Sequence, residues 1–153
     1  QIMKQRLLIL AIGIISFSAC TKEDPTPDDP ITKTPEEYLT AKTWKTDEAR
    51  IQFNNTTVQY YKRGAAGNTV NYDTDSLKFN TNNTGIYYYL GNQYATTWNF
   101  TDAGKTKLTL VVSFSTPQTL KLENITVNDS YFAYAQYPAS ETTYLASVRR
   151  LPN

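Results

Sequence analysis

The stretch Asp75–Phe114, DSLKFNTNNTGIYYYLGNQYATTWNFTDAGKTKLTLVVSF, decides how the chain folds. Apolar residues alternate through Leu77 and Phe79, Ile86 and Tyr88, Trp98 and Phe100, then Leu108, Leu110, Val112 and Phe114. Polar breaks containing Asn82, Asn83, Gly85, Gly91, Asn92, Asp102 and Gly104 separate these runs. A period of two broken by Gly, Asn and Asp clusters predicts an antiparallel meander with one buried face. Within the Tyr87-Tyr88-Tyr89 run, the alternation sets Tyr88 inward and Tyr87 and Tyr89 outward.

Outward from the meander, Thr43–Phe53 and Thr57–Lys62 predict two earlier strands. Val58 and Tyr60 fall on one side of the second, Gln59 and Tyr61 on the other. Arg63–Thr74 is the longest irregular segment, and a loop of that length at the open end of a small barrel is a candidate for function. Thr34-Pro35-Glu36-Glu37 starts a short helix, with Thr34 as N-cap, Pro35 at the first position and Glu37 closing a capping box. Tyr38, Leu39 and Ala41 then pack against one end of the sheet. After the meander come strands at Thr119–Val127, Tyr131–Tyr137 and Thr142–Leu151, the first two joined by an Asn128-Asp129 turn. The count is eight or nine strands and one helix.

With 153 residues, the chain allows one domain, and its 12 tyrosines suit pleated, half-buried surfaces. A net charge of +1 supplies no basic field for nucleic acid. The absence of His excludes His-based triads and the usual zinc sites. No metal or other cofactor is expected. Carboxylates for acid–base work are present in Asp47, Glu48, Asp73, Asp75, Asp102 and Glu123, but no spacing pairs them, and no enzyme is expected. Asn71, Asp73 and Asp75 alternate as calcium ligands do, without the central Gly and with Asn82 at the twelfth position.

Residues 1–19 read as an address. Lys4 and Arg6 precede an apolar run, Leu7–Phe17, too short for a final membrane span. Ser18-Ala19-Cys20 follows, and the whole resembles a bacterial lipoprotein signal. The resemblance implies cleavage before Cys20 and acylation of that residue, so that the chain meets a membrane through an N-terminal lipid anchor. Cys20 is the sole cysteine, which leaves the mature domain without a disulfide. Residues 20–33, rich in Pro, Asp and Thr, form a flexible tether. Lys22-Glu23-Asp24 resembles the surface-export signal of Bacteroidota lipoproteins, which implies the outer membrane and its outer face.

The folded part, residues 34–153, is similar to the lipocalin-like domains of Bacteroidota lipoproteins. Leu39 with Trp44, Phe79 with Gly85, Trp98 with Phe100, and Ile125 through Phe132 carry the likeness. Lys42 stands where lipocalins place a Gly, two residues before the Trp. The resemblance implies an all-β, up-and-down antiparallel barrel of about eight strands with one short N-terminal helix. It also implies a structural pair in which Trp44 is covered by a basic residue near the chain end, Arg149 or Arg150, through cation–π packing. Tyr60, Tyr88, Trp98 and Tyr134 are expected to line the interior, where rings with polar tips suit a small hydrophobic or aromatic ligand. The alternative is a filled barrel that contacts a glycan or envelope protein through outward Tyr residues, or inhibits a hydrolase through the long loop. Asp75-Ser76-Leu77 also resembles a Bacteroidota O-glycosylation site at Ser76.

Overall fold

A computed structural model describes residues 33–138 and 144–153. The expected signal peptide (residues 1–19), Cys20 and nearly all of the expected tether lie outside the described residues. Helix α1 (Pro35–Ala41) opens with the expected capping box, in which Thr34 Oγ1 accepts from the Glu37 amide and Glu37 accepts from the Thr34 amide. Nine strands follow: β1 (Thr43–Phe53), β2 (Thr56–Lys62), β3 (Ser76–Phe79), β4 (Thr84–Tyr89), β5 (Asn92–Phe100), β6 (Leu108–Val112), β7 (Gln118–Val127), β8 (Phe132–Pro138) and β9 (Tyr144–Pro152). All pairings are antiparallel, β3 to β9 form an up-and-down meander, and β9 returns to pair with β1. Eight strands therefore close an antiparallel barrel, and β2 is an extra strand outside the closure.

β1 explains the ninth strand. It has eleven residues and β3 only four, so β3 covers just the Thr43–Lys45 part of one edge. The rest of that edge, Glu48–Phe53, is taken by β2. The changeover falls between two residues: the Thr46 amide donates to Asp75 O, and Asp47 O accepts from the Arg63 amide. Arg63 bridges the fork, its Nε and Nη2 donating to Thr46 O and its Nη1 to Asp73 O. The Arg63–Thr74 segment does not hang free. Asn68 and Thr69 bond the outer edge of β2 at Lys62 and Tyr60, which blunts an otherwise open strand edge.

The half of the barrel next to α1 is filled. Leu39, Trp44, Leu77, Phe79, Trp98, Leu108, Leu122 and Phe132 are buried there as one cluster. Phe79 stacks edge-on against both Trp98 and Phe132, at ring distances of 5.3 and 5.7 Å. Toward the other end, the inward positions of β1 and β9 become small or polar, with Thr46, Ala49, Ala146 and Val148. The side chains there do not fill the barrel.

Candidate functional site

That unfilled half is a cavity of about 860 Å³, open at the end that carries the β4–β5 and β6–β7 connections. Its floor is a polar layer of Asp75, Tyr87 and Arg150, with Tyr134 in the core behind it bonded to Arg150. Arg150 is 3% exposed; its Nε donates to the Tyr134 hydroxyl at 2.9 Å and its Nη1 to the Trp44 carbonyl at 3.3 Å. The guanidinium also stands 5.6 Å from the Tyr87 ring centroid and 5.9 Å from that of Tyr134. Ile51, Tyr89, Phe114, Leu120 and Val148 form apolar walls, and Gln59, Gln118 and Gln136 add amides.

All three directions of the Tyr87–Tyr89 run are corrected by the register. Leu77 pairs with Tyr87 and Phe79 with Gly85, so Gly85, Tyr87 and Tyr89 share the inner face. Tyr88 pairs with Ser76 and Gln93 on the outer face. Tyr60 also faces out, opposite Arg50, whose guanidinium lies 5.6 Å from its ring. Its neighbour Tyr61 is the inward residue, fully buried, with its hydroxyl donating to Asp73 Oδ1 at 2.7 Å. Trp98 is inward but belongs to the filled half, its Nε1 donating to Thr84 O. None of the four expected residues lines the cavity; Tyr134 is inward but packs in the core, touching the floor only through its bond to Arg150.

The terminal arginines separate in the same way. A register shift between Thr46 and Glu48 leaves Asp47 opposite no residue of β9, and Arg149 reaches out to the Asp47 carboxylate. Arg150 points inward instead. It meets Trp44 through the backbone carbonyl, while the indole Nε1 donates to Leu39 O at 2.9 Å. The expected cation–π cover of Trp44 by Arg149 or Arg150 is therefore replaced by Arg150 over Tyr87 and Tyr134.

Burial and the bond to Asp73 push the Tyr61 hydroxyl up to about 12. Burial likewise raises Tyr87. Asp75 is the one acidic residue in the cavity lining among the described residues, and its Oδ1 accepts from the Leu90 amide at 3.1 Å. Burial raises its pKa above 3.8; the Leu90 bond and the charges of Arg150 and Arg63 oppose this without cancelling it. A carboxyl raised on folding adds most stability in acid and loses it as pH rises through the folded value. Asp75→Asn keeps the acceptor and removes the charge. The stability of Asp75→Asn relative to the parent is therefore expected to increase from roughly pH 4 to pH 8, read from unfolding midpoints; a constant difference would contradict this.

The remaining candidates disperse. Asn71 caps the Asp73 amide, Asp73 holds Tyr61, and Asp75 points to the interior, so the three do not converge on a cation. Among the described residues no group of three acidic, His or Cys side chains could hold a metal. Ser76 is buried at the start of β3, which closes it to a glycan in the folded chain.

The fold and the cavity together define a closed antiparallel barrel with one open, polar-floored chamber. Protein-family models, curated proteins and solved structures give no match to this chain.

Proposed function

We propose that the chain is a lipocalin-like binding barrel for a small amphipathic or aromatic ligand, held at the cell envelope by an N-terminal lipid on Cys20. The observation that carries the binding reading is the 860 Å³ chamber, which falls in the 300–1,000 Å³ range of small-molecule sites. Its mix of tyrosine rings, aliphatic walls and a few convergent polar groups supports the same reading. N-phenyl-1-naphthylamine, a neutral dye that brightens in apolar sites, is expected to bind saturably. Ala146→Phe projects a ring into the chamber from β9 and is expected to weaken that binding by roughly tenfold while the barrel remains folded by circular dichroism. Absence of saturable binding to the parent protein would sink the proposal.

The anchor rests on the sequence pattern around Cys20. Cys20→Ser is expected to move the protein from the membrane to the soluble fraction, and unchanged membrane recovery would reject it.

A further inference from the structure

The chamber floor holds a cation whose acidic neighbour, Asp75, acts on it through its charge but stays outside ion-pair distance. A guanidinium has five N–H groups, and those of Arg150 reach only the Tyr134 hydroxyl and the Trp44 carbonyl among the described residues. No ion pair within 4.0 Å involves Arg150 among the described residues. The sole sealed-off side-chain nitrogen or oxygen lacking a partner among them is Thr96 Oγ1, so the free Nη2 edge of Arg150 borders the chamber. Asp75 shares the lining, but one of its oxygens is taken by the Leu90 amide. A desolvated cation whose carboxylate neighbour stays outside ion-pair distance is only partly compensated, and an incoming anion on its open edge would stabilise it further. Among the described residues no lysine lines the chamber.

We infer that the ligand of this chamber is a monoanionic amphiphile whose carboxylate sits on the Nη edge of Arg150 and whose apolar body runs up past Val148, Ile51, Leu120 and Phe114. This rests on the binding reading above and gives it a chemical class. A planar carboxylate matches the parallel N–H groups of a guanidinium. A single charge fits because one arginine is present and Asp75 opposes a second negative charge. The polar floor lies at the inner end of the chamber and the apolar walls nearer its mouth, so the head group enters first.

The test compares two molecules of equal chain length as competitors for bound N-phenyl-1-naphthylamine: dodecanoate and 1-dodecanol, both below micelle-forming concentrations. Dodecanoate is expected to displace the dye at about tenfold lower concentration than the alcohol, with the advantage shrinking in high salt. Arg150→Met is expected to abolish the advantage and Arg150→Lys to retain part of it. Should Arg150→Met fail to fold, the parent comparison and Arg150→Lys decide. Equal displacement by both competitors, or by neither, overturns the carboxylate site while the dye still reports a binding chamber. Failure of the dye to bind at all removes the chamber reading and this one with it.

Discussion

Trp44→Ala is expected to lower the unfolding free energy by about 3–5 kcal/mol, the usual cost of deleting a fully buried tryptophan. Trp44 has 0% exposure and lies between the helix and the barrel core, with its ring 5.8 Å from that of Phe132. The substitution would empty this space and strip Leu39 O of its donor at the point where α1 hands over to β1. Helix ends leave carbonyls without intrahelical partners, so the indole N–H serves as a side-chain cap. Domains of this size have about 5–15 kcal/mol in total, so the variant sits near its limit. Urea denaturation measures the loss. Trp44→Phe, which keeps a ring but no donor, should lose less. A Trp44→Ala protein within about 1 kcal/mol of the parent would refute the idea that this residue ties the helix to the barrel.

Gly85→Ala is expected to cost about 3 kcal/mol, at the upper end of overpacking. An added Cβ would lie 2.3 Å from Lys78 O and 2.6 Å from Thr96 Oγ1. The first of these is backbone of β3, which is held between β4 and β1, so the strand cannot simply lean away. The Thr96 hydroxyl, buried and without a hydrogen-bond partner among the described residues, occupies the rest of the space. Thr96→Ala in combination should recover only part of the loss, because the Lys78 contact remains. Thermal unfolding of the single and double variants reads both effects, and full recovery in the double variant would show that the β3 backbone yields after all.

Gly85 also explains why the inner face of β4 was misread from the sequence. Its neighbours Ile86 and Tyr87-Tyr88-Tyr89 are all apolar or aromatic, so no polar residue marks the phase of the alternation. A strand whose two faces look alike gives no preference between registers one residue apart. Taken as a turn residue, Gly85 left the phase to Ile86. As a strand position it sits inward, covered by Thr96, and it forces Tyr87 and Tyr89 inward too. Elsewhere the phase was legible: Leu108, Leu110 and Val112 alternate with half-buried Thr109 and Val111, and the capping box fixed the helix start. The paired arginines were ambiguous for another reason. Consecutive strand residues take opposite faces, and the β1 irregularity at Asp47 that receives Arg149 leaves no sequence mark. The split of β1 between β2 and β3 was hidden because it depends on comparing strand lengths. The polar floor was missed with it, since Asp75 and Arg150 are 75 positions apart and meet only in the closed barrel.

The β1–β9 seam has a consequence for how the molecule assembles. It joins Trp44 to Pro152 and Phe53 to Tyr144, so its contacts close loops of about a hundred residues, whereas β4 to β8 pair with strands next to them in the chain. Local hairpins can form on a microsecond scale, but topologies that depend on distant pairings fold in about milliseconds to seconds. The meander can therefore be in place while the seam is still open. During that interval β1 and β9 each present an unpaired edge, the feature that templates intermolecular sheet growth. Residues 144–152 thus work as a zip, and the slowest step in making this barrel is the one that also removes its stickiest surface.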